Sequence, residues 1–288
     1  MPTHGSRTIR PGDPHYHPTF EGKLFGTHMW FDSLDEYLAY VGPNSVGASD
    51  QVSRETGRGN DWDFGVGWDG ACKLARQGWP EGAEQVEKLL DKVEGHITKL
   101  LPQQRNVLRP AMVGGRVSVP AYLAGHPRQF LTLRREAATC KTVTMVVSCA
   151  ISCGVSAEAN MRRGVAIAAA VRALEQRRIR VELVSVKCNT DYDGTVTAGA
   201  CVVKRAQDKL QSDMVAFCLA HSAFPRRFGF AFQESSSRVT GKPVPSGYGL
   251  PTTYEIPGAI NIPTKPVYND EEMEAFALEI IKGIIEVK

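Results

Sequence analysis

Residues 142–187 read TVTMVVSCAISCGVSAEANMRRGVAIAAAVRALEQRRIRVELVSVK, and this stretch decides the fold class. Its first positions, Thr142 to Cys149, make a short apolar run rich in β-branched residues, as a buried strand does. Ser156 then stands where an N-cap would accept from orphan amides, and Met161, Val165, Ala168, Val171 and Leu174 share one face of a helix over 157–176. A second apolar run at 179–187 completes a strand, helix and strand unit, whose crossover makes the two strands parallel.

Working outward toward the C-terminus, the pattern predicts strand 199–206, helix 211–221, strand 227–232, strand 259–264 and helix 270–286. Only the turn-rich Asn189-Thr-Asp-Tyr-Asp-Gly-Thr195 separates 179–187 from 199–206, so these two are expected to form an antiparallel hairpin at a sheet edge. The fold class is therefore α/β, with a mostly parallel sheet and one antiparallel edge strand. Toward the N-terminus, residues 81–101 place Val86, Leu89, Leu90, Val93 and Ile97 at steps of three and four, the stripe of an amphipathic helix. Ser33-Leu-Asp-Glu36 has capping-box spacing, and Pro43 to Gly67 reads as loop before a helix near Trp68. The expected division is a polar arm over 1–20, a mainly helical N-terminal region over 21–139 and an α/β domain over 140–288.

Composition bounds the class. With 288 residues, 42% hydrophobic and 23% charged, the chain can bury a core without staples and is neither a coiled coil nor wholly disordered. Seven cysteines without a C-x-x-C pair fit reduced thiols better than a disulfide framework. No apolar stretch approaches the roughly 20 residues that a bilayer span needs, so no membrane contact is expected. Neither G-x-G-x-x-G nor G-x-x-x-x-G-K-[ST] occurs, which leaves dinucleotide and P-loop binding without a motif.

The run from Thr142 through Ser156 and the succession after it resemble a von Willebrand factor A-like, Rossmann-like domain. Arg163-Gly164-Val-Ala-Ile, Arg180-Val-Glu-Leu183, Ala216-Phe-Cys-Leu-Ala-His221 and Arg226-Arg-Phe-Gly-Phe230 are similar to an uncharacterised family borne mainly by bacteriophages. Gly78-Trp-Pro-Glu-Gly82 and Val119-Pro-Ala-Tyr-Leu-Ala-Gly-His-Pro127 extend that likeness. The A-like resemblance implies an ion loop of the type D-x-S-x-S after the first strand, whose hard oxygens suit Mg²⁺. The matching positions here are Ala150, Ser152 and Gly154, so the loop is degenerate, and neither a metal nor another cofactor is expected.

Other constellations have ordinary readings beside chemical ones. Asp191 and Asp193 suit a hairpin turn as well as a cation. His15 and His17 alternate in the polar arm, where two imidazoles make a weak metal site. Cys149 and Cys153 read as small buried hydrophobes rather than a redox pair. Ser152 with His221 lacks the Gly-x-Ser-x-Gly elbow of a hydrolase, so no enzyme activity is expected.

Charge is unevenly distributed: Met161 to Lys242 carries 14 basic against 7 acidic residues, and Glu255 to Lys288 carries 3 against 7. The basic clusters are Arg162-Arg163, Arg177-Arg178, Lys204-Arg205 and Arg226-Arg227, with Tyr192 and Phe224 as stacking faces. This combination suits single-stranded nucleic acid. The expectation is a nonenzymatic phage accessory protein that binds single-stranded DNA in transcription or replication, in the host cytoplasm. The alternative is a scaffold for a phage or host protein partner that uses a metal-free A-like domain.

Overall fold

The computed structural model describes residues 7–8, 24–42, 52–55, 60–100, 104–137, 141–150, 152, 154–240, 244 and 246–286. His15, His17 and Cys153 lie outside them. The chain is a mixed α/β fold built on a largely parallel sheet. The unit read first in the sequence is present as β6 (Lys141–Ser148), α6 (Ala157–Gln176) and β7 (Ile179–Thr190), with β6 and β7 parallel. Ser156 caps α6, its hydroxyl accepting from the Ala159 amide at 3.1 Å. Because α6 is apolar or small almost all round, it lies in the middle of the helical layer, between α4 (Pro80–Leu100), α7 (Ser212–Ala220) and α9 (Asp270–Glu286).

The main sheet also holds β1 (Arg7–Thr8), β2 (Leu24–Phe31), β8 (Thr195–Lys204), β9 (Leu250–Pro251) and β10 (Ile260–Ile262). Its order is β1-β2-β8-β7-β6-β10, with β9 on the end of β7. The expected hairpin is there, since β7 and β8 pair antiparallel, but it is not at an edge. β2 runs parallel to β8 on its open side, Leu24 opposite Thr195 and Phe31 opposite Cys201. The signal for this interior place is the run Ala198-Gly-Ala-Cys201, small and buried on both faces, where an edge strand would alternate with polar residues.

Residues 227–232 are helical rather than extended. A π-turn at Phe224–Phe228 leads into α8 (Gly229–Thr240), which follows the short α1 (Leu34–Val41) and α3 (Gly67–Gln77) into the same cluster. Phe228 and Phe232 alternate as a strand would, but Phe224, Phe228 and Phe232 are four apart, and all three bury one face against Phe31, Tyr37 and Phe217. Each such ring contributes about 1.5–3 kcal/mol, which settles the conformation in favour of the helix.

Two packing clusters lie on the helical face of the sheet. One joins Val143, Met145 and Val181 to α4, α6 and α9; the other joins Met29, Phe31 and Cys201 to α1, α3 and α8. The opposite face, with Val146, Val184, Val186 and Ala200, is covered by Tyr254 and Ile256. The region before residue 140 is largely helical in its described residues from α1 to α4, with strands before and after them. It supplies β2 to the main sheet and α4 to its helical layer, and its last part is a separate three-stranded antiparallel sheet of β3 (Gln104–Ala111), β4 (Arg116–Val117) and β5 (Phe130–Ala137), with α5 (Val119–Leu123) at the tip. No stripe of apolar residues continues past Pro102 to sustain a helix there.

Candidate anion-binding site

In an open α/β sheet, ligands sit at the carboxyl ends of the strands, where the chain order reverses. Here that point is the end of β6, which has β7 on one side and β10 on the other. A cavity of about 590 Å³ opens there, within the range of small-ligand sites. Its floor is the loop after β6 and the first turn of α6, contributed by Cys149, Ser152, Gly154, Ser156 and Asn160. Lys187 and Asn189 enter from the end of β7, Ser222 and Arg226 from the segment after α7, and Trp62, Phe230 and Tyr248 form a wall.

Lys187 is the unusual member. It projects from β7 between the buried Val186 and Cys188, is only 5% exposed, and sits 5.0 Å from the Phe230 ring centroid. Burial pulls its amine down to about 8, Arg226 adds to the fall, and no carboxylate opposes it. Beside it, burial pushes the Cys149 thiol up, so this sulfur stays protonated at neutral pH. Asn189 Oδ1 and Ser222 Oγ are buried without a hydrogen-bond partner, a costly state that a ligand donor or a water would relieve. The first turn of α6 adds amides and the positive end of a 20-residue helix. Among the described residues that line the cavity there is no Asp, Glu or His.

A smaller cavity of about 240 Å³ adjoins it, sharing Ser152, Val155 and Asn160 and adding Arg163 and Lys265. Arg163 is buried and donates to the carbonyls of Ser148 at 3.2 Å and Pro263 at 3.0 Å. Lacking a carboxylate, it has its pKa drawn down to about 10 by burial. The walls are held from behind. Arg227 binds Asp63 and donates to the carbonyls of Ser53 and Glu55, while Glu234 accepts from the Ser53 amide and hydroxyl and from Tyr248 OH at 2.6 Å. These contacts fasten the segments that carry Trp62 and Tyr248 to α8. Tyr248 stacks on Phe230 with centroids 4.1 Å apart.

The degenerate ion-loop positions do meet at the site: Ser152 and Gly154 line the larger cavity, and Ala150 and Ser152 the smaller. Their surroundings are cationic, the opposite of what a hard metal needs, and no group of three His, Cys, Asp or Glu suited to a metal occurs among the described residues. The four basic clusters divide between the two ends of the sheet. Arg162, Arg163, Arg226 and Arg227 lie toward the cavity end, whereas Arg177, Arg178, Lys204 and Arg205 lie where α6 ends and β7 begins. Several are consumed inside the fold: Arg177 binds Glu94 and Thr98, Lys204 binds Glu175 at 2.7 Å, and Phe224 is buried. Arg162 lies 3.9 Å from Asp270, Arg205 donates to the Asp32 carbonyl, and Arg226 donates to the Trp62 carbonyl at 2.6 Å. Arg178 and Tyr192 are exposed at opposite ends.

Asp191 and Asp193 accept from the amides of Tyr192 and Thr195, as turn residues do. His221 does not line the cavity of Ser152. Its Nδ1 accepts from the Ala223 amide, and its ring packs against Phe64, Trp79 and Phe217. Lys187, Asn160, Asn189 and Ser222 are not among the residues singled out from the sequence, and only Lys187 leaves a signal, a cation set between the apolar Val186 and Cys188 of β7. No helix among the described residues is long and apolar enough to cross a membrane.

Fold and site together define a mixed α/β protein with a cationic cavity at the carboxyl edge of its sheet. The chain belongs to the family described as Domain of unknown function (DUF7192), which matches residues 15–285. No curated protein and no solved structure matches it.

Proposed function

We propose that this chain is a binding protein that seats a phosphate-bearing group in the cavity at the end of β6. The observation that carries this reading is Lys187, a buried amine facing the cavity with Arg226 nearby and no carboxylate in the described lining. A doubly charged oxyanion supplies the missing counter-charge, accepts from Ser222 and the α6 amides, and leaves Asn189 Oδ1 for a ligand hydroxyl. An A-like ancestry is supported by the order β8-β7-β6-β10, in which the first strand of the unit lies third and the hairpin reverses β8. On the phage resemblance, the partner is a phosphorylated small molecule or the terminal phosphate of a nucleic-acid strand in the host cell.

The test is thermal unfolding and calorimetry with inorganic phosphate, mononucleotides, and single-stranded oligonucleotides with and without a 5′-phosphate. A ligand present at 100 times its Kd stabilises the native state by about 2.7 kcal/mol. The reading requires that such a shift occur and that Lys187→Met abolish it while leaving a cooperative melt. Binding by mononucleotides identifies the small-molecule source, and binding by 5′-phosphorylated strands alone identifies the strand end. No shift with any phosphate overturns it.

A further inference from the structure

The three-stranded sheet of residues 104–137 is built like half of an interface. Among the described residues its strands pair only with one another, and none of residues 108–133 is buried. Between Leu108 and Leu133 eight large apolar side chains stand at least 45% exposed, rising to 83% at Val113 and 79% at Leu123. Elsewhere in the described residues only three large apolar side chains are as exposed, Tyr192, Leu250 and Tyr268. Three strands hold together in water when one face is covered, and patches of this kind mark contact surfaces.

Charge says what covers it. Residues 104–137 contain six arginines, one glutamate, no lysine and no aspartate, so they alone exceed the net charge of +3 of the whole chain. Arginine, methionine and aromatics with few lysines and acids are the composition of interface cores. Because residues 104–137, a three-stranded arm distinct from the N-terminal one, carry a surplus of five positive charges, the rest of the chain is negative by two. That negative charge is displayed on α4 and α9, which pack side by side and are joined by Lys92 with Asp270 and Glu274. Glu271 and Glu279 on α9 are exposed, as is Glu84 on α4.

We propose that the arm docks on the acidic α4 and α9 face of a second copy of this chain, with the apolar tip around Val113 and Leu123 pressed against it. The contact joins two different surfaces, so it is head-to-tail and propagates into a ring or a filament. It is independent of the cavity.

Light scattering after size exclusion, over a range of protein concentrations in low and high salt, tests this. The expected result is a mass that is a multiple of 31.5 kDa in low salt and falls as salt screens the charges. Val113→Asp with Leu123→Asp should return the protein to a single chain, at least tenfold weaker in self-association, with an unchanged melt because neither side chain is buried. Glu271→Lys with Glu279→Lys should do the same, and pairing it with Arg116→Glu and Arg128→Glu should restore the assembly. A single chain at every concentration in low salt overturns the proposal, as does an assembly that survives both sets of variants. Salt-dependent binding of an oligonucleotide that the tip variants abolish, by a protein that stays single, assigns the arm to nucleic acid and also overturns it.

Discussion

Arg227 and Asp63 form an ion pair of 2.6 Å in which neither side chain is more than 2% exposed. The guanidinium also closes on two carbonyls, of Ser53 and Glu55, so that one residue of the π-turn ties these two residues to Asp63. Arg227→Ala leaves the Asp63 carboxylate buried and unpaired, and the expected loss is about 3–5 kcal/mol in urea unfolding. Arg226→Ala, next door but half-buried, should cost about 1 kcal/mol, the worth of an ordinary hydrogen bond. Equal losses at the two positions would contradict this division of roles.

Lys187 gives the fold a pH dependence of a definite sign. Its amine titrates at about 8 in the folded protein and at its ordinary 10.5 in the unfolded chain. Between those values the unfolded state binds more protons, so this residue makes stability rise with pH across the window. Lys187→Met should remove that rise and be no less stable than the wild type at pH 7, since it relieves a buried charge. Urea midpoints from pH 7 to 10 for both proteins measure it. An anion in the cavity favours the charged amine, so phosphate affinity should fall as pH climbs through about 8, with proton uptake seen by calorimetry in buffers of different ionisation heat.

His221 acts at the acid end. Burial lowers its pKa to about 4 from the ordinary 6.5, against the pull of Asp63 and Glu81. The unfolded chain therefore takes up a proton first, and stability due to this residue, full above pH 6.5, declines as pH falls toward 4. His221→Asn keeps an acceptor for the Ala223 amide without a titrating ring. Its stability profile between pH 6.5 and 4 should be flatter than that of the wild type, and a parallel profile would rule the imidazole out as the cause.

Gly164 marks the closest approach of α6 and α7. A Cβ there would lie 2.2 Å from the Leu219 carbonyl oxygen and 2.3 Å from Ala220 Cα, and backbone cannot step aside as a side chain can. Gly164→Ala should cost at least about 3 kcal/mol, the upper end of overpacking. Gly199→Ala meets the buried Phe232 ring at 2.7 Å, a longer approach and to a side chain rather than to backbone, and should cost less, about 1–3 kcal/mol. Thermal melts of the two variants give the comparison.

The elements legible in the sequence are those whose pattern is local. β6, α6 and β7 follow from an apolar run, a cap and a 3.6-residue stripe, and all lie within a few residues of their expected bounds. The place of the hairpin is decided by β2, which arrives from the far end of the chain, and within 179–206 only the small, doubly buried run Ala198-Gly-Ala-Cys201 announces it. Arg177, Lys204 and Arg227 look in sequence like solvated surface because Glu94, Glu175 and Asp63 are 83, 29 and 164 residues away. The positions Ala150, Ser152 and Gly154 follow from the A-like resemblance of the loop after the first strand, but the sign of the cavity beside them does not. That sign depends on Lys187, Arg226 and the α6 terminus converging, and convergence is a property of the folded sheet.

The parallel pairing of β2 with β8 also orders events in time. During synthesis Leu24–Phe31 leaves the ribosome long before Thr195–Lys204, and at 5–20 residues per second the wait is roughly 10–30 s. Throughout it Trp30, which ends opposite Ala200 and buried, has no sheet to enter. The β6, α6 and β7 unit gathers from neighbours in sequence, so the nascent protein carries its first strand as an unplaced apolar segment until the hairpin is complete. A chaperone that acts on this protein therefore has its client in the N-terminal strand, and a ribosome stalled before Lys204 displays that strand for as long as it stalls.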